Sequence, residues 1–268
     1  MFRSRRNLVV ALAAFLLAFV PATTSARAQH VRWLELDTVA EGAPHAGVRV
    51  VSGTRAGRFY RVMLLRRSDV AGARFIGQAG TTDLASKLRE QDLRLLELQA
   101  EQLNQSPGWV GVDLTPSDLE WPVERWREFL AAEAVLDKFQ PGTEAQVHVH
   151  AQTFFKLLVH RGTSAPADAV TRPVGQAIEL VPLADPMSLS GNRLQVQVLL
   201  KGKPLAGARV YAATTEAPAS TSATTDSEGK AKLTVGPGQW VLFVRSISRT
   251  DQAGGFEVFG AATTIRVR

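Results

Sequence analysis

Cysteine is absent from this 268-residue chain, which excludes a disulfide framework, thiol chemistry and a thiolate metal site. Any metal would have to be held by imidazole, carboxylate or an amine, and only five His are present. Long apolar runs are scarce as well. The prominent one, Leu8–Val20, is roughly thirteen residues, too short to span about 30 Å of hydrocarbon as a helix. Catalytic signatures are missing: there is no Gly-x-Ser-x-Gly elbow, no His-Glu-x-x-His pair, no phosphate-binding Gly-rich loop and no dinucleotide fingerprint. The chain therefore reads as non-catalytic.

An excess of one charge is lacking too, once the amino terminus is read for what it is. Arg3, Arg5 and Arg6 precede the apolar run, and Pro21–Ala28 follows it with small residues at Ala26 and Ala28. That is the order of a secretory signal peptide, residues 1–28. The expected mature chain starts at Gln29, is exported to the periplasm and carries no membrane span. Four of the 31 basic residues leave with the signal, so 27 face 25 acidic ones. A nucleic-acid partner needs a concentrated basic stripe, and none is visible.

Short strands and turns fill what remains. Leu194, Val196, Val198 and Leu200 alternate with Gln195 and Gln197, the period-two pattern of a half-buried strand. Ile178–Leu183, Ala208–Ala212, Ala231–Val235, Trp240–Val244 and Phe256–Val267 read likewise. Lys201-Gly-Lys-Pro204 and Asp226-Ser-Glu-Gly229 supply turn chemistry between them. Residues 174–268 are therefore expected to form an immunoglobulin- or transthyretin-like β-sandwich. Residues 29–161 read as a second β-sandwich-like domain with two added helices. One spans 82–102, where Leu84, Leu88, Leu95 and Leu98 share a helical stripe. The other spans 122–139, with Pro122 in the first turn. Residues 162–173, rich in Ala, Thr, Ser and Pro, read as the linker.

Candidate ligands are few. His148 and His150 sit two apart in a predicted strand, so both point to one face, about 7 Å apart. Two imidazoles at that spacing can tilt toward one ion at about 2.1 Å each, and imidazole suits Zn, Cu or Ni. The simpler reading of the same residues is a solvated face made of Gln146, His148, His150 and Gln152. His30 is the natural third ligand. The amine of Gln29 with the His30 imidazole would chelate Cu(II) or Ni(II), unless Gln29 cyclises. His45 lies in a loop, and His160 would lie roughly 33 Å from His150 along one straight strand.

Several strings resemble a known family. Val174-Gly-Gln-Ala-Ile-Glu-Leu-Val-Pro-Leu-Ala-Asp-Pro186, Leu200-Lys-Gly-Lys-Pro-Leu-Ala-Gly-Ala-Arg-Val210, Thr224-Thr-Asp-Ser-Glu-Gly-Lys230 and Gly238-Gln-Trp240 look like the domain of unknown function 4198 family. His30-Val-Arg-Trp33 and Val110-Gly-Val-Asp-Leu114 resemble its start and middle. The family consists of exported bacterial proteins, some of them periplasmic components of nickel or cobalt uptake. The resemblance implies a divalent-metal-handling protein that serves a membrane transporter, with nickel or cobalt as cargo. The competing expectation is a metal-free β-sandwich module that binds an envelope protein or a polysaccharide.

Overall fold

A computed structural model describes residues 30–37, 44–54, 61–89, 94–104, 107–160, 167–189, 191–214 and 220–268. The expected signal peptide and Gln29 lie outside these residues. The chain is mainly β, with several sheets. It runs through β1 (His30–Leu36), β2 (His45–Thr54), β3 (Arg61–Met63), β4 (Val70–Gly77), β5 (Gly80–Asp83) and β6 (Leu96–Gln99). A one-turn helix α1 (Ala100–Asn104), β7 (Gly108–Leu114), β8 (Ser117–Pro122), helix α2 (Val123–Ala132) and the long strand β9 (Gln146–Val159) follow. After a second one-turn helix, α3 (Ala167–Thr171), come β10 (Ile178–Pro182), β11 (Arg193–Leu200), β12 (Lys203–Pro204), β13 (Arg209–Thr214) and β14 (Ser220–Thr224). The last three are β15 (Lys230–Thr234), β16 (Gly238–Arg249) and β17 (Gly255–Val267).

These strands stack in three layers. The middle layer is a sheet of order β14-β13-β16-β17-β9-β7-β4-β5, with β8 paired to the first half of β9. One face packs on β1, β2 and β6. There Val31, Trp33, Leu34, Val48 and Leu96 meet Phe75, Val110, Val112, Phe155, Leu157 and Phe243. The other face packs on β10, β11 and β15, where Leu180, Val196 and Leu233 meet Trp109, Phe154, Leu158, Leu242 and Phe259. Period two explains how one strand serves both: along β9, Phe155, Leu157 and Val159 go to the first core, Phe154 and Leu158 to the second. A strand covered on both faces reads as a continuous apolar run, as Phe154–Val159 nearly does.

The middle sheet crosses the expected domain boundary. β9 and β17 pair in parallel from His148↔Gly255 to Leu157↔Thr264, so strands from either side of the expected linker share a sheet. The segment is also packed: Val170 of α3 is buried, and its carbonyl accepts from Trp109 Nε1 at 3.1 Å. Residues 161–166 lie outside the described set.

The helix expected over 82–102 is not formed. β5 pairs with β4, Asp83 Oδ1 accepts from Ala85 N at 2.8 Å, and β6 pairs with β2. Leu96 and Leu98 are fully buried by strand alternation, and among the described residues of this stretch the helical parts are a 3-10 turn at Ala85–Lys87 and α1 at Ala100–Asn104. The leucine spacing does not decide between the periods; tertiary packing does, since as strand β6 the segment pairs with β2 and places Leu96 and Leu98 in the core. The second helix forms but stops at Ala132, short of 139. Ala134 is left-handed (φ 57°), Val135 N donates back to Leu130 O, and Trp126 Nε1 reaches Phe139 O. That turn folds Val135, Leu136 and Phe139 onto the helix rather than extending it.

Candidate functional site

β9 changes character midway, and the change makes the site. Its first half reads Gln146-Val-His-Val-His-Ala151, an alternation with one apolar face. Val147 and Val149 are buried beneath α2 with Trp126, Leu130, Phe256 and Val258. His148 and His150 therefore stand on the opposite face, the one that further along is covered by β10 and β11. Those strands do not cover them: the imidazoles are 44% and 43% exposed.

Neighbouring strands furnish the rest. β8 runs antiparallel to β9 with Asp118 opposite His150 and Glu120 opposite His148. Asp118 Oδ1 lies 2.7 Å from His150 Nδ1, and Glu120 Oε1 lies 3.5 Å from His148 Nδ1. On the other side β17 sets Glu257 beside His150 and Gly255 beside His148. Glu257 is drawn to Lys201 Nζ at 3.6 Å. Thr250 and Gln252 close over Gly255, where no Cβ would fit, and a groove of about 420 Å³ opens beside the two imidazoles. Asp118, Glu120, His148, His150, Thr250, Gln252 and Phe256 are among its lining residues.

An ionised carboxylate can only accept a hydrogen bond, so the 2.7 Å contact requires the proton of His150 on Nδ1. A neutral imidazole so held keeps a bare lone pair on Nε2. That is the chemistry of a metal donor, and a second imidazole, His148, shares the strand face. Among the described residues no group of three or more His, Asp or Glu side chains is arranged to hold a metal ion. The pair thus offers two nitrogens and no closed cage.

Sequence reasoning expected His148, His150, His30 and Gln29 together. The structure brings the first two together and adds Asp118 and Glu120. His30 begins β1, whose Val31, Trp33 and Leu34 pack on the other face of the middle sheet, so its strand is not on the side of the His148–His150 pair. Gln29 lies outside the described residues. β9 is continuous from 146 to 159, which keeps His160 at its far end, roughly 33 Å from His150. Asp118 and Glu120 were missed because Ser117–Trp121, between the Val110–Leu114 string and the helix expected from 122, was assigned to no element. The signal was there in Asp118-Leu-Glu120, two acids at strand spacing around an apolar residue.

The turn acids and the tryptophans serve structure. Asp226 Oδ1 accepts from Glu228 N and Lys230 N at 2.9 Å each, with Gly229 at φ 72°, which makes the Asp226–Gly229 stretch a tight turn that carries the chain from β14 in the middle sheet to β15 in the neighbouring one. Trp33, Trp109, Trp126 and Trp240 are core residues, and Trp121 carries the Arg125 guanidinium 4.7 Å over its ring. One buried polar cluster stands apart from the groove. Lys156 Nζ meets Glu179 Oε1 at 2.8 Å and lies 4.4 Å over Trp109, both side chains being 1% exposed. Glu179 also accepts from Val174 N and Gly175 N. Burial pulls the Lys156 ammonium below the ordinary lysine value, against the opposing pull of Glu179.

The family model described as Domain of unknown function (DUF4198) matches residues 26–248. Among curated proteins none matches this chain. The solved structure titled native alpha-2-macroglobulin from Escherichia coli, spanning domains MG0-NIE-MG1, is similar at 11% sequence identity with a TM-score of 0.23. The alignment covers 88% of this chain and 97% of that one.

Proposed function

The chain belongs to the domain of unknown function 4198 family, and from that premise we propose that it is an exported, non-catalytic divalent-metal-handling protein. The observation that carries this reading is the His148–His150 pair. Two imidazoles stand half-exposed on one strand face at the mouth of a groove, each with a carboxylate on its Nδ1 side. A site of two nitrogens leaves coordination positions for water or for a partner's ligands, which suits an ion that must be passed on. The family resemblance makes nickel or cobalt the cargo and a periplasmic accessory of a membrane transporter the role. Copper and zinc share the ligand preference. β1 packs on the other face of the middle sheet, so this reading rests on the His148–His150 pair and does not count the amino terminus as part of the site. We read β10 to β17 as the transthyretin-like sandwich, with β10, β11 and β15 stacked across β13, β16 and β17.

Calorimetric titration of metal-stripped residues 29–268 with Ni(II), Co(II), Cu(II) and Zn(II) tests the reading. Micromolar or tighter binding that survives His30→Ala and is lost in His148→Ala/His150→Ala supports it. Absence of binding by a folded sample overturns it. A second reading, a metal-free module that binds an envelope protein or polysaccharide, has one observation in its favour. Among the described strands β8 pairs with β9 alone, so its other edge can accept a partner's strand.

A further inference from the structure

We propose that Asp118 and Glu120 are positioning residues that fix the tautomers of His150 and His148, so that each imidazole presents Nε2 to the groove. The proposal rests on the reading of His148 and His150 as the metal-facing pair and assigns a role to the strand beside them.

The register makes the argument. In the antiparallel ladder of β8 and β9, Glu120 lies directly opposite His148 and Asp118 opposite His150. Because side chains alternate, all four stand on one face. Slipping β8 by one residue would replace both carboxylates with Leu119 and one of Ser117 or Trp121. Two carboxylate–imidazole pairs thus lie side by side, built by two strands rather than by chance approach of loops. Both contacts use the same ring atom, Nδ1. Since the carboxylate supplies no proton, Nδ1–H of His150 donates to Asp118 and Nε2 of the neutral ring is left as the donor to a metal; Glu120 stands at ion-pair distance on the same side of His148 and favours the same tautomer there. Carboxylate–histidine–metal arrangements of this kind orient the ring and raise its basicity as a ligand.

The carboxylates act from behind the rings. No group of three or more His, Asp or Glu side chains that could hold an ion forms among the described residues, so Asp118 and Glu120 are not themselves assigned as ligands. The two pairs also differ in grip, 2.7 Å for Asp118 on His150 against 3.5 Å for Glu120 on His148. His150 should therefore be the more firmly set of the two. Asp118 is 88% exposed, and an exposed pair of this kind adds little to folding. Its removal should register at the imidazole and leave the fold alone.

The test uses residues 29–268 with nitrogen-15 in the histidine rings. Long-range proton–nitrogen correlation of the metal-free protein, with the imidazoles neutral, reads the tautomers directly. His150 is expected as the Nδ1–H form in the native sequence and to shift toward the Nε2–H form in Asp118→Ala. Asp118→Asn, whose side-chain oxygen still accepts, should restore the native form. Titration with Ni(II) and Zn(II) should then show Asp118→Ala binding about 10- to 100-fold more weakly, with a smaller loss in Glu120→Ala and partial recovery in Asp118→Asn. An unchanged His150 tautomer in Asp118→Ala overturns the proposal, as does unchanged affinity when the native protein binds. Failure of the native protein to bind either ion falls on the metal reading instead, and the tautomer measurement still decides what Asp118 does to His150.

Discussion

Replacing Lys156 by Met should destabilise the protein by about 3–5 kcal/mol, because it strands the Glu179 carboxylate in the core. At 2.8 Å, an effective dielectric of about 20 gives a Coulomb attraction of about 6 kcal/mol. Desolvation of two ions, several kcal/mol each, cancels most of that gain. The pair is thus worth little against a well-packed apolar pair, yet costly to break from one side. Glu179→Leu removes more, since Val174 N and Gly175 N lose their acceptor at about 1–3 kcal/mol each. The double variant no longer buries a lone charge and should cost less than the sum of the singles by about 2–3 kcal/mol. Urea unfolding followed by Trp fluorescence measures this, with Trp109 against the lysine as a local reporter. A Lys156→Met unfolding free energy within about 1 kcal/mol of native, or strict additivity, would refute the argument.

The same lysine sets a pH dependence. Its folded pKa lies below the ordinary 10.5, so between the two values the unfolded chain binds more protons and this group's contribution to stability rises with pH. Comparing native and Lys156→Met unfolding free energies across the alkaline range should show that rise only in the native protein. Trp126→Ala, which empties a fully buried site against Phe256, should cost about 3–5 kcal/mol by thermal or urea unfolding. Gly229→Ala should cost more than about 1 kcal/mol, since φ is 72° and a Cβ would sit 2.8 Å from Val198 O. His148→Ala/His150→Ala should stay within about 0.5 kcal/mol of native without metal and lose any rise in melting temperature on adding Ni(II).

Several strands were legible because local pattern and burial agree. β11 shows this in Leu194, Val196 and Val198, all buried, and so does the first half of β9, where alternation alone puts His148 and His150 outside. Lys201 and Gly202, both at positive φ, form the tight turn that Lys201-Gly-Lys-Pro204 implied. What could not be read were pairings set by distant partners. Leu95 N donates to Val48 O, and nothing between 82 and 102 announces β2 as a neighbour. The parallel union of β9 with β17 spans more than a hundred residues, so composition suggested two domains where the strands share one sheet. Half of the site was hidden for the same reason: Asp118 and Glu120 acquire meaning only when β8 is laid beside β9.

The central claim is that a divalent ion sits on the β9 pair. Sub-stoichiometric Ni(II) or Cu(II), both paramagnetic in accessible geometries, added to histidine-labelled residues 29–268 tests it residue by residue through line broadening. The account predicts that the His148 and His150 ring signals are broadened together, even in the His30→Ala variant, while His45 and His160 persist. Selective loss of His45 or His160, or equal broadening of every histidine, would contradict it.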